Sequence, residues 1–306
     1  MPRQHFAFKF KHRLDEITFQ LNPNPDHTRR FSGTARLWGA DALSRLQLAH
    51  VVVVGIGGVG SWAAECLARS GVGALTLIDL DVVALSNVNR QIHATDATLG
   101  ANKVDVMAQR IRSYAPDCAV HAVDDWITPA NVGQLIPASA DYVIDCIDQV
   151  QAKTALAVLC GARKQPLIVC GAAGGKWDLS LLAVADLAQV THDPLLAAMR
   201  TRLRKSHGYP AAAVSAKSKT KAMGLRCVFV AQAVARPLGN EFPAGIEISA
   251  EAKTAVSKSE FDKEASFNAA APQGLSCAGY GSVMHMTASM GIRAAGVVLG
   301  DLVAAY

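Results

Sequence analysis

The stretch VVVVGIGGVGS, residues 51–61, decides how the rest of the chain is read. Four β-branched residues in a row, with no turn former among them, suit a strand buried on both faces at the centre of a parallel sheet. Gly55 marks the turn, and Gly57, Gly58 and Gly60 leave the backbone bare ahead of a helix that opens at Ser61 with SWAAECLAR. Main-chain N–H groups and the helix dipole favour a bound phosphate at such a place. Gly55, Gly57 and Gly60 satisfy G-x-G-x-x-G, and Asp79 follows one strand later in ALTLIDLD, where a ribose hydroxyl would be met. On these residues alone a hydride-transfer enzyme, another nucleotide binder and a merely tight strand-to-helix turn all stay open.

Working outward, strands predicted at 51–54, 74–78, 118–123, 142–146 and 167–170 alternate with helices at 100–114 and 151–163. This is the doubly wound α/β rhythm, with ligand expected at the carboxyl ends of the strands. After GAAGGKWD (171–178) the rhythm changes: TKAMGLRCVFV (220–230) and AGIEISA (244–250) read as strands between long polar loops, ahead of a terminal helix. The expected fold is therefore α/β: a doubly wound, Rossmann-like, mostly parallel sheet with a C-terminal extension of antiparallel strands and a terminal helix. An N-terminal extension of 1–30, a nucleotide-binding core of 31–174 and a lobe of 175–306 divide it, all within one overall domain.

Composition bounds the rest. The chain has 306 residues, 51% hydrophobic and 18% charged, which fits a globular protein with a substantial core. Its start, MPRQHFAFKFKHRLDE, lacks the apolar run of a secretory signal. Cysteines number seven, at 66, 118, 146, 160, 170, 227 and 277, with no C-x-x-C pair, so reduced thiols are expected rather than disulfides or a zinc site of ordinary spacing. Residues 281–306 are apolar enough to suggest a membrane span, but Arg293, Asp301 and many small residues suit a packed helix better. A cytoplasmic location is expected, with membrane association through this segment as the minor reading.

The residues that discriminate among nucleotide sites follow the second strand. DLDVVALSNVNRQ (79–91) brings two acids, two asparagines and an arginine together, and GANKVD delivers Lys103 at the start of the next helix. Nicotinamide chemistry has no use for this set, whereas ATP brings a triphosphate to neutralise and a metal to hold. Oxygen ligands such as Asp81 and Asp148 suit Mg²⁺, and Arg90 and Lys103 suit charge building on an α-phosphate under attack by a carboxylate.

GIGGVGS, LIDLDVV, LSNVNRQ, GANKV and VIDCIDQ, in that order, resemble the motifs of the adenylating enzymes of the ThiF/MoeB and ubiquitin-activating group over about residues 30–174. The resemblance implies that Asp79 binds the ATP ribose, that Asn87, Arg90 and Lys103 contact phosphates, and that Asp148 with Asp81 holds Mg²⁺. RRFSGTARLWG, NRQIHA, GAAGGKWD and a DPL before a basic helix further resemble the tRNA threonylcarbamoyladenosine dehydratase branch, over nearly the whole chain. That branch implies adenylation of the threonyl carboxylate of the modified adenosine beside the anticodon, and intramolecular displacement of AMP by the ureido group to close a ring. The rival within the group is an activator of the C-terminus of a sulfur-carrier or ubiquitin-like protein. A homodimer, a monovalent cation and a sulfur-relay partner of the cysteine desulfurase system are further expectations. Cys227 and Cys277 are the thiols to inspect for such a role, although a small buried apolar role suits them better.

Many members of the wider family carry an R-Y-x-R-Q signature whose second arginine reaches the nucleotide of a neighbouring subunit. Gly33 stands in that place here, leaving Arg30 and Arg36 as candidates for the triphosphate.

Residues 200–226 hold eight lysines and arginines and no acid, in a chain of formal net charge +5, so the remainder is net acidic. The segment reads as a basic mobile loop meeting RNA phosphates through Arg200, Arg202, Arg204, Lys205, Lys217, Lys219 and Lys221. Lys9, Lys11, Arg13, Arg29 and Arg30 would extend the patch, and Tyr209 would offer a ring to a base. DNA is not an expected partner.

Overall fold

The structure, a computed structural model, describes residues 25–211, 221–235 and 280–304. Its centre is the valine run. Strand β1 (His50–Val54) pairs in parallel with β2 (Ala74–Ile78) on one side and β4 (Tyr142–Asp145) on the other. Val51 and Val53 point into one hydrophobic layer and Val52 and Val54 into the other, so an uninterrupted apolar run is what the position demands. With β3 (Ala119–Val123), β5 (Leu167–Cys170), β6 (Leu182–Asp186) and β7 (Arg226–Val230) the sheet has seven strands in the order β3-β2-β1-β4-β5-β7-β6. All neighbours are parallel except β6 and β7.

Helices cover both faces. After the short α1 (Pro25–Arg30) and α2 (Ser32–Trp38), α3 (Ala40–Leu48), α4 (Gly60–Arg69) and α5 (Lys103–Tyr114) lie on the layer of Val51 and Val53. On the layer of Val52 and Val54 lie α6 (Val132–Leu135), α7 (Val150–Arg163) and α8 (Pro194–Ser206). The last described helix, α9 (Met284–Val303), joins the first layer. Met286, Met290, Ala294, Val298 and Leu302 recur every fourth residue as one fully buried ridge. Among the described residues α9 alone is long and apolar enough to cross a membrane; its stripe packs on α4, α3 and the sheet.

The predicted strands stand within one residue of the observed ones, and β2 and β5 coincide. Two expectations change. Residues 200–206, expected to open the basic loop, are the last turns of α8, which buries Leu195, Leu196, Met199 and Leu203 and turns its charges outward. The antiparallel partner of β7 is β6, unmarked in the sequence reading. The strand expected at 244–250, like Cys277, Lys217, Lys219 and the N-terminal basic residues 9, 11 and 13, lies outside the described residues.

The far end of the sheet is clamped by side chains. Arg226 at the start of β7 is ion-paired with Asp301 of α9, and Tyr142 at the start of β4 donates to the same carboxylate at 3.0 Å. Arg226 is thus a structural cation, not one offered to RNA. The six described cysteines are free thiols.

A Cβ on Gly291 of α9 would lie 2.2 Å from the Val59 carbonyl oxygen and 3.0 Å from the Ala63 nitrogen, so the two helices touch backbone to backbone. Gly291→Ala is expected to push α9 off α4 and cost about 1–3 kcal/mol, read as a lowered urea midpoint.

Candidate active site

Strand order reverses between β1 and β4, so their carboxyl ends open a crevice where a doubly wound sheet takes its ligand. The chain puts its unusual residues there. Gly55 turns with φ +86°, and a Cβ on it would press the Cys146 carbonyl oxygen at 2.9 Å. A Cβ on Gly60 would sit 1.8 Å from the Gly55 oxygen. Gly57 has open space where its side chain would be, and Gly58 lies under Thr287 of α9 and the stem of Arg90. The loop is therefore closed on itself at 55 and 60, open at 57 and roofed at 58.

Asp79, just past β2, accepts the Ile56 N–H at 2.5 Å and the Asp81 N–H at 2.8 Å, tying the glycine loop to the next strand. Burial pushes its carboxyl above the usual range, Lys103 opposing and Asp81 adding. The Lys103 ammonium, nearly buried at the head of α5, meets Asp81 Oδ2 at 2.6 Å. Asn87 is buried and accepts the Ala84 N–H at 3.0 Å, which shapes the loop carrying Arg90. Arg90 donates to the Ser86 carbonyl at 2.6 Å and to Asn89 Oδ1 at 2.9 Å, while the Trp62 indole donates to the Arg90 carbonyl at 2.9 Å. Asp148 opens to solvent from the loop after β4, and the protein around it raises its carboxyl pKa; Lys153 and Lys103 oppose the rise and Asp81 adds to it. Ser61 is buried in the first turn of α4, and among the described residues its Oγ has no hydrogen-bond partner.

The geometry thus gathers Gly55, Gly57, Gly58, Gly60, Ser61, Asp79, Asp81, Asn87, Arg90, Lys103 and Asp148 around one crevice. It does not bring Arg36 there: that side chain is exposed and turns back on Ser32 of its own helix at 3.3 Å. Arg30 donates to the Tyr114 carbonyl at 3.3 Å.

Two features escaped the sequence reading. Lys153 of α7, fully buried, donates to Asp145 Oδ1 at 2.8 Å and to the Cys170 carbonyl at 3.0 Å, and Asp145 in turn accepts the Ile147 N–H at 3.0 Å. Burial alone would lower the Lys153 pKa, but Asp145 holds the ammonium charged and raises it. This pair braces the strand ends from which the Asp148 loop springs. A lysine one turn into an apolar helix and an acid ending an apolar strand were the available signal, since neither is buried without a partner. The second feature is His93, 2% exposed, with both ring nitrogens unpartnered among the described residues.

On the basic face, Arg202, Lys205 and Lys221 are exposed as expected. Arg200 is a correction: its guanidinium donates to the Leu187 and Val190 carbonyls at 3.0 and 2.8 Å and fastens α8 to the preceding turn. Arg204 likewise donates to the Pro210 carbonyl at 3.0 Å. The Tyr209 ring packs on the second layer with its hydroxyl 3.5 Å from the Ala157 carbonyl, so it is not offered to a base. Cys227 is fully buried, and burial pushes its thiol far up, against nucleophilic use.

Residues 31–294 match the ThiF family. The chain belongs to it. It is 42% identical over 277 residues to the tRNA threonylcarbamoyladenosine dehydratase of Escherichia coli K12, covering 90% of this chain and 94% of that protein. It is 45% identical over 184 residues to the dehydratase of Haemophilus influenzae, covering 60% of this chain and 70% of that one. A crystal structure of the E. coli dehydratase in complex with ATP superposes with a TM-score of 0.72 at 39% identity, covering 90% of this chain and 95% of that chain. Within the ThiF family, then, this chain is similar to tRNA threonylcarbamoyladenosine dehydratases, and to that of E. coli along 90% of its length.

Two outcomes follow from the buried groups. Lys153→Met leaves Asp145 without its counter-charge and is expected to cost about 3–5 kcal/mol in chemical denaturation, most of it recovered in Lys153→Met/Asp145→Asn. Burial, with Lys103 and Arg110 adding, lowers the His93 pKa from 6.5 to about 4. The fold therefore binds this proton less readily than the unfolded chain, so stability is full above pH 6.5 and falls as pH drops from 6.5 toward about 4, by an amount on the order of 3 kcal/mol. Stability measured across that window should show a shallower loss in His93→Gln.

Proposed function

We propose that this protein is an ATP-dependent tRNA threonylcarbamoyladenosine dehydratase. It adenylates the threonyl carboxylate of the modified adenosine beside the anticodon, and the ureido group of the same side chain then displaces AMP and closes the ring. The observation that carries the reading is the meeting, at the point where strand order reverses, of a bare glycine loop, two cations and three carboxylates, in a chain that matches a dehydratase along 94% of that relative's length.

The chemistry follows from what these groups can do. A carboxylate is a poor electrophile until an oxygen is converted into a leaving group, and transfer to AMP with loss of pyrophosphate does this. The loop amides and the first turn of α4, with the unpartnered Ser61 hydroxyl, suit phosphate oxygens, and Asp79 suits the ribose. Lys103 and Arg90 offset the charge that grows on the α-phosphate as the carboxylate attacks. The ring-closing nitrogen belongs to the same side chain as the acyl group, so its effective concentration is high and no enzyme thiol is needed. Asp148 and Asp81 are oxygen donors suited to Mg²⁺ beside phosphate oxygens, and each feels the charge of the other across the crevice. When bound, the ion draws charge from the phosphates.

The proposal extends to the assembly. Leu37 and Leu85 are 72% and 68% exposed, and Val82 and Val88 stand out of the loop that carries the phosphate residues, apolar side chains that a homodimer would cover. Arg36, on the same helix as Leu37, then has a neighbouring subunit to reach. Among the described residues of the basic segment, the exposed Arg202, Lys205 and Lys221 are offered to RNA phosphates, in keeping with a cytoplasmic enzyme on tRNA. The adenylating core is 31–174, and within the lobe 175–306 strands β6 and β7 extend its sheet while α9 roofs its crevice.

AMP and pyrophosphate release should depend on tRNA bearing threonylcarbamoyladenosine, with the nucleoside losing the mass of one water. Release indifferent to tRNA would overturn the reading and point to protein carboxyl termini. Asp148→Asn is expected to lower the rate about a hundredfold or more while the fold is kept, checked by the same assay beside a thermal melt.

A further inference from the structure

Trp177 is the most exposed of the tryptophans whose exposure stands out, at 58%, yet its backbone is held on both sides. Its N–H donates to Gln232 Oε1 at 2.9 Å, and its carbonyl accepts from His285 Nε2 at 2.9 Å. Lys176 before it is buried, donating to Asp193 at 3.3 Å and to the Val230 carbonyl at 3.0 Å. Gly175 is bonded through its N–H to the Gly281 carbonyl and through its carbonyl to Ala235, both at 2.9 Å. An indole in water on a fixed backbone adds little to the fold, and it loses little freedom when something covers it.

Its place says what that is. The segment 281–287 that holds Trp177 also touches the nucleotide loop, since Thr287 lies over Gly58 and the Ser282 carbonyl accepts from Asn89 at 2.8 Å. The backbone that carries the exposed indole is therefore tied to the segment that roofs the nucleotide loop. On the dehydratase reading the modified nucleotide, beside the anticodon among unpaired bases, has to reach that crevice.

We propose that Trp177 is a stacking platform for a nucleobase of the substrate RNA next to the modified adenosine. The proposal deepens the dehydratase reading and rests on it. Stacking on an exposed ring is how proteins commonly hold unpaired bases, without demanding one sequence. Trp177 is a binding residue here, with no part in nucleotide chemistry.

The test uses the full-length protein and an anticodon stem-loop bearing threonylcarbamoyladenosine. Trp177→Ala should raise Kd and KM for the RNA about ten- to a hundredfold, leaving kcat and the ATP-induced thermal shift at wild-type values. Trp177→Phe should regain most of the affinity. Indole emission should be quenched by RNA in the wild type and much less in Trp177→Phe. RNA binding within twofold of wild type in Trp177→Ala would overturn the proposal. So would loss of RNA binding that accompanies dissociation of a dimer in light scattering, because the indole is then a contact between two copies. If the wild type itself releases no AMP with this RNA, the dehydratase reading has failed and the platform fails with it, an outcome told apart by the wild-type activity.

Discussion

The structure depends on a backbone that closes upon itself at Gly55 and Gly60. With 1.8 Å between the Gly55 oxygen and the place of a Gly60 Cβ, only hydrogen fits, and the chain leaves β1 and enters α4 within five residues. That short turn lets the amides of the loop face one point, and it sets the direction of α4. The direction of α4 in turn fixes α9, which meets it at Gly291, and the segment before α9 braces the loop after β5. A contact of two glycines thus reaches four elements distant in sequence.

Around this turn the polar groups are arranged in pairs that resolve one another's cost. Asp145 and Lys153 are wholly buried, and Lys176 and Asp193 nearly so, the two lysines donating to carbonyls at the carboxyl ends of β5 and β7. They rigidify the loops from which Asp148 and Trp177 emerge. Glu65 performs a similar service away from the crevice: burial would raise its pKa, but hydrogen bonds from Arg110, Arg69 and Tyr114 outweigh that and hold it below the ordinary value. Buried charge of this kind contributes to uniqueness of structure more surely than to net stability.

How much of this the sequence disclosed depended on burial. β1, β2, β4 and β5 are covered on both faces, so they read as unbroken apolar runs, and the motif residues at their ends could be placed in advance. β6 could not, because it is an edge strand whose five residues are all half-buried and whose short apolar run LAVA, with one β-branched residue, reads as readily as a helix. The end of α8 was hidden by its charges: Arg200, Arg204 and their neighbours look like a solvated basic run, and only the folded chain shows that two of them are turned onto carbonyls. Lys153 left only a faint signal for a related reason, since a lysine on a helix is ordinarily a surface residue and its partner lies on another element.

The position of Thr287 over Gly58 has a consequence for synthesis. The motifs of the crevice leave the ribosome early, but the helix that roofs the glycine loop follows only after most of the chain has been made, a delay on the order of ten seconds or more at ordinary elongation rates. Until then α4 shows its apolar flank and the loop lacks its cover. The nascent chain must therefore pass through a stage in which its nucleotide motifs are all present and its nucleotide site is unfinished, with the ordering of the crevice deferred to a contact of very high sequence separation.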